Sequence, residues 1–143
     1  GDGKPGAAGG ALVDYPTPPG MSKSPVFSRV ARVRGGDLVF VSGLYGPAKD
    51  ARMQVEAIFA ALGKTLGETG SDLRHLVKAT YYVSDDDASR ALNDLRPKYY
   101  DPARPPSASK ALVSGVGAAG RTVTLDMIAV PAGGKGAEGA AGK

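Results

Sequence analysis

The chain has 143 residues, a formal net charge of +4, one histidine and no cysteine, with a pI near 9.4. That length is one ordinary domain, and the missing cysteines exclude disulfides, thiolate metal sites and a cysteine nucleophile. No apolar run approaches the roughly 20 residues needed to cross a bilayer, so a soluble chain with no membrane partner is expected.

Before Met21 the sequence is mostly Gly, Ala and Pro, and after Val130 it reads PAGGKGAEGAAGK. Neither stretch can bury enough surface to fold alone, so residues 1–23 and 131–143 are expected to be flexible tails around one domain over residues 24–130. Gly1-Asp2-Gly3 reads as a processed start, which leaves open a removed upstream signal peptide and therefore export.

Residues 26–33 carry polar and apolar side chains in partial alternation, Arg34-Gly35-Gly36-Asp37 supplies turn chemistry, and residues 38–41 are an apolar run. The pattern predicts a β-hairpin whose second strand ends at Ser42-Gly43. Arg29, Arg32 and Arg34 form the one dense basic group, which reads as a solvated strand face, and a nucleic-acid partner is not expected.

From Asp50 the period becomes helical. Val55, Ile58, Phe59, Leu62 and Leu66 share one face, Asp50 is placed to cap, and Gly67 and Gly70 end the helix. A strand over residues 77–83 follows. Ser84-Asp85-Asp86-Asp87 then puts capping groups at the start of a second helix with Ala88, Ala91, Leu92, Leu95 and Tyr99 on one face. Pro97 is expected to kink or split that helix. Strands are predicted over residues 107–113 and 122–130, separated by a Gly-Ala turn.

The order ββαβαββ predicts an α+β fold with both helices on one face of a mixed sheet. In the last strand Val123, Leu125, Met127 and Ala129 should pack under the helices, which turns Asp126 to the opposite face. That open face needs a partner.

The chemistry-bearing candidate is Arg104, in the stretch Asp101-Pro102-Ala103-Arg104-Pro105-Pro106-Ser107. A guanidinium on stiff backbone, with the Asp126 carboxylate on a later strand, suits capture of a small acidic metabolite. Taken alone, an arginine among prolines is also an ordinary loop residue, and Asp126 reads equally as a catalytic group or a structural pair inside an assembly. Ser42-Gly43 fits strand-end geometry, Asn93 fits a helix-to-loop tether, and Tyr81 and Tyr82 fit sheet packing. His75 has no partner cluster and is given no catalytic or ligand role.

FVSGLYGP over residues 40–47, the helix to Gly70, LVKATYYVSD over residues 76–85, Asn93, PARPPS and the closing TLDMIAV together resemble the Rid family, also called YjgF or L-PSP. The resemblance implies a chorismate-mutase-like fold, a homotrimer with a central barrel, and clefts at subunit interfaces. It implies hydrolysis of reactive enamines and imines, such as 2-aminoacrylate, to 2-keto acids and ammonia, with no metal or cofactor. The partners implied are a small carboxylate-bearing imine, enamine or keto acid and other copies of the chain, with the cytoplasm as the default location.

Carried over by position, Arg104 matches the arginine that forks onto the substrate carboxylate, and Asp126 falls where a glutamate usually positions the attacking water. Ser42 and Gly43 match the Ser-Gly of the cleft wall, and Asn93 matches a helix asparagine near the site. Phe27 falls where a cleft tyrosine is common, and Pro106 replaces a frequent cysteine. The alternatives are a non-catalytic trimeric carboxylate binder and, from the family's older names, an endoribonuclease or translation inhibitor. The physiological substrate is not legible in the sequence.

Overall fold

A computed structural model describes residues 12–133, so the expectations for residues 1–11 and 134–143 lie outside the described residues. Within them the order is β1 (Val13–Asp14), β2 (Arg32–Val33), β3 (Val39–Leu44), α1 (Ala51–Glu68), β4 (Leu76–Val83), α2 (Asp86–Tyr99), β5 (Ser107–Leu112) and β6 (Val123–Ala129). The fold is α+β, with two helices on one face of a mixed sheet ordered β3-β6-β4-β5. β6 runs antiparallel to both β3 and β4, and β5 runs parallel to β4.

The helices start where their caps dictate. The Asp50 side chain accepts from the Met53 amide and the Asp85 side chain from the Ala88 amide, each satisfying a donor that the first turn leaves unpaired. α1 closes as the Thr69 and Ser71 amides both bond the Leu66 carbonyl, with Gly70 at a φ of 84° that other residues rarely adopt. Val55, Ile58, Phe59, Leu62 and Leu66 of α1 and Ala88, Ala91, Leu92 and Leu95 of α2 are buried against Ala79, Tyr81, Val123, Leu125 and Met127 of the sheet. Phe59 stacks on Tyr99 at 4.6 Å and meets Tyr100 edge-on at 5.5 Å, joining the two helices.

Three expectations are corrected. The segment assigned to an N-terminal tail contributes β1, with Val13 buried, and the Arg34 amide bonds the Leu12 carbonyl, so folded chain begins upstream of Ser24. The order therefore gains a strand. The predicted hairpin does not form: β2 pairs with β1 (Val13 opposite Val33), while β3 pairs with β6. The Gly35-Gly36 turn is present, both residues at positive φ, yet Asp14 draws Arg32 and Arg34 toward β1. Finally, α2 continues through Pro97 to Tyr99. A proline near a helix end removes one donor without interrupting what precedes it. At the other end of the domain, the Ala132 amide bonds the Gly70 carbonyl, which holds the start of the expected C-terminal tail to the folded unit.

Candidate functional site

Arg104 closes a tight turn. The Asp101 side chain accepts from the Ala103 amide (2.9 Å) and its carbonyl from the Arg104 amide (2.9 Å), while its second carboxylate oxygen takes Arg74 Nε (3.0 Å). Those bonds and the Arg74 charge hold the Asp101 carboxyl below the usual carboxylate range. Pro105 and Pro106 are buried, and Ser28 clips both: its hydroxyl donates to the Pro105 carbonyl (2.6 Å) and its amide to the Pro106 carbonyl (2.9 Å). The stiff backbone expected around Arg104 is thus anchored on both sides.

The guanidinium is held at one edge. Arg104 Nε donates to the Arg74 carbonyl (2.6 Å), whereas Nη2 is buried with no hydrogen-bond partner among the described residues. Among the described residues no carboxylate lies within salt-bridge distance of it. The Tyr15 ring centroid lies 5.8 Å from Cζ, and the Tyr15 hydroxyl donates to the Leu76 carbonyl (2.7 Å). Burial pushes the Tyr15 phenol up to about 12, against the opposing pull of Arg104, so it stays a neutral donor. Sequence reasoning missed Tyr15 because it lay in an assigned tail; the Leu12-Val13-Asp14-Tyr15 run was the available signal.

A second group stands on the sheet face away from the helices. Asp126 and Ser42 share an open recess of about 340 Å³ with Phe40, Val41 and Ile128. The Asp126 carboxylate has no hydrogen-bond or ion-pair partner among the described residues. Gly43 lies where the β3–β6 register shifts between Val41 and Leu44. A Cβ there would come 3.2 Å from Thr124 Oγ1, which itself donates to the Leu44 carbonyl (2.7 Å).

The candidates fall into separate places. Ser42, Gly43 and Asp126 come together; Phe27 lies beside the Arg104 turn through its neighbour Ser28. Asp126 is level with Thr80 and Thr80 with Ser109, so Arg104 is two strands across and five residues along, on the order of 15–20 Å from Asp126. One chain does not bring the two charges together. Asn93 is exposed on α2, its Oδ1 accepting from Arg96 Nη2 (2.8 Å) and Lys110 Nζ (3.1 Å), a tether between α2 and β5. His75 Nδ1 meets the Asp72 carboxylate at 2.6 Å. Among the described residues no group of three or more His, Asp or Glu could hold a metal ion, and no helix is long and apolar enough to cross a membrane.

A mixed sheet with both helices on one face, and Asp126 among apolar side chains on the uncovered face, defines the α+β domain. The sequence model of the endoribonuclease L-PSP family matches residues 22–131, and the chain belongs to this family, which includes the YjgF and Rid proteins. Similar solved structures include a YjgF-family protein from Neisseria meningitidis, 21% identical over 85% of this chain and 97% of that one, with a TM-score of 0.64. A Rid-family protein from Yersinia pestis is 16% identical over 84% of this chain and 99% of that one (TM-score 0.67). A YjgF-family member from Mycobacterium tuberculosis is 26% identical over 73% of this chain and 86% of that one (TM-score 0.60). No curated protein matches the chain.

Proposed function

We propose that the protein hydrolyses 2-imino acids, the tautomers of enamines such as 2-aminoacrylate, to 2-keto acids and ammonia, in clefts completed by a second copy within a homotrimer. The observation that carries this reading is the Arg104 guanidinium, oriented through Nε on an anchored turn and, among the described residues, without a carboxylate within salt-bridge distance. A substrate carboxylate reaching the accessible part of the guanidinium would supply that counter-charge.

In the proposed cleft Arg104 comes from one protomer, while Asp126, Ser42 and Gly43 come from its neighbour. With the carboxylate held, the imine carbon faces the Asp126 carboxylate through a water. The carboxylate takes a proton from the water as its oxygen bonds to carbon and passes that proton to nitrogen, where the electron pair of the C=N bond becomes an N–H bond. The carbinolamine then collapses as the carboxylate moves the hydroxyl proton to nitrogen, the C–N bond breaks, the O–H electron pair becomes the C=O bond, and ammonia leaves with a keto acid behind. The imine is intrinsically electrophilic, so positioning and acid/base help of about 10²- to 10⁴-fold can suffice. Asn93 and Phe27 have a weaker claim, since Asn93 is engaged by two cations and Phe27 offers no hydroxyl.

The test is ammonia and 2-keto acid release from freshly generated 2-imino acids. Wild type should accelerate release, Arg104→Ala should abolish the acceleration, and Asp126→Ala should lower it by about 10²-fold or more. Asp126→Glu, which lengthens the carboxylate arm by one methylene, should retain or raise turnover. No acceleration with any imine in a folded trimer would overturn the reading. Retained 2-keto acid binding in that case would leave a carboxylate-binding module, which the short arm of Asp126 would explain.

A further inference from the structure

Between β5 and α2 a pocket of about 190 Å³ is lined by Phe27, Tyr81, Arg96, Ala108, Ser109 and Lys110. Its two cations converge on one neutral acceptor, since Arg96 Nη2 and Lys110 Nζ both donate to Asn93 Oδ1 at 2.8 and 3.1 Å. Lys110 adds a bond to the Ser89 hydroxyl (2.7 Å). Arg96 Nε is buried and has no hydrogen-bond partner among the described residues. Among the described residues neither cation has a carboxylate within salt-bridge distance, whereas Arg32, Arg52 and Arg74 each do. Like charges drawn together around one amide oxygen repel, and burial together with Arg96 lowers the Lys110 pKa below its ordinary value. The outer half of this arrangement is not core: Asn93 and Lys110 are exposed, and Lys110 sits on a sheet-edge strand.

What the arrangement lacks is an anion. A carboxylate or phosphate seated between the outer edge of Arg96 and Lys110 would screen the repulsion and leave its organic body against the Phe27 ring. Arg96 already lies over the Tyr81 ring, 5.3 Å from its centroid, so its plane is fixed before any ligand arrives.

We propose that Phe27, Arg96 and Lys110 form a second small-molecule site, separate from Arg104, that binds a carboxylate or phosphate carried on an aromatic or other apolar body. It does not depend on imine hydrolysis. It gives Phe27 and Asn93 a common setting, Phe27 as a wall and Asn93 as the group that holds the two cations in place.

The experiment is an NMR titration of the intact protein with benzoate and with phenyl phosphate, following Phe27, Tyr81 and Lys110. Saturable shifts with a Kd at or below about 1 mM are expected for at least one probe. Which probe binds more tightly identifies the head group. Lys110→Gln should weaken binding at least about 5-fold, the loss of one charged donor at a half-open site. Arg96→Gln should weaken it further, but that change also removes support from Tyr81, so Lys110→Gln carries the test. Binding should persist in Arg104→Ala. The proposal is overturned if neither probe shifts these residues by about 10 mM, if Lys110→Gln binds as wild type does, or if Arg104→Ala abolishes the shifts.

Discussion

Gln54 shows how much of this fold rests on single polar side chains. It is 1% exposed, faces the core side of α1, and uses all its useful hydrogen-bonding capacity. Nε2 donates to the Lys49 carbonyl (2.8 Å) and Thr122 Oγ1 (3.2 Å), and Oε1 accepts from the Thr122 amide (2.9 Å), tying the loop before α1 to the entrance of β6. Gln54→Leu keeps the volume but strands a carbonyl and an amide, so a loss of about 2–4 kcal/mol is expected in urea unfolding. The neighbouring close approach is at Gly46, where a Cβ would stand 2.6 Å from the Gln54 carbonyl oxygen. Backbone cannot swing aside as a side chain can, so Gly46→Ala should cost about 1–3 kcal/mol by the same measurement. Both residues sit on the path from the Ser42-Gly43 strand end to α1, and both variants should therefore also disturb the recess around Ser42 and Asp126.

At the scale of elements, the parts legible in the sequence were those set by local chemistry. The apolar period of α1, the caps Asp50 and Asp85, and the alternation that turns Asp126 away from the helices all follow from near neighbours. Pairing across distance was not legible. The turn at Gly35-Gly36 looks the same whether its flanking strands pair or diverge, and what separates them is Asp14, eighteen positions before Arg32, in a stretch whose composition reads as tail. The same clamp gives a pH dependence. Hydrogen bonds from Arg32 (Nε 3.0 Å, Nη2 2.6 Å), followed by the charges of Arg32 and Arg34, outweigh burial and lower the Asp14 pKa. A lowered folded-state pKa means stabilisation present above the unfolded value of about 3.9 and lost as pH falls through the folded value. The β1–β2 pair should loosen as the solution is acidified below about pH 4, seen as increased hydrogen exchange at the Arg34 amide and mobility of the Tyr15 ring. Asp14→Asn should show that looser state already at neutral pH. The effect is modest, under about 1 kcal/mol, because the pair is largely exposed.

At the scale of the molecule, the open sheet face and the separation of Arg104 from Asp126 both fit the proposed trimer. Phe40 is 70% exposed on β3 beside Ile128 and Asp126, an apolar side chain of a kind that interfaces between copies usually bury. Arg104 and Asp126 stand too far apart to serve one substrate within a chain, and in the proposed trimer each protomer would offer its Arg104 edge to the next protomer's Asp126 face across the rotational axis. On the proposed reading wild type sediments as a trimer, and Phe40→Asp should shift it to monomer in sedimentation velocity and remove turnover with neither charge altered. A sharper test uses two inactive proteins. In an Arg104→Ala homotrimer every cleft lacks its arginine, and in an Asp126→Ala homotrimer every cleft lacks its carboxylate. If the cleft is shared, unfolding the two together in equal amounts and refolding them as mixed trimers should restore about one quarter of wild-type activity, because a random pair of neighbours supplies an intact Arg104 and an intact Asp126 in one arrangement of four. If both residues served from the same chain, no mixture could rebuild a site, and the refolded mixture would stay as inactive as its parents.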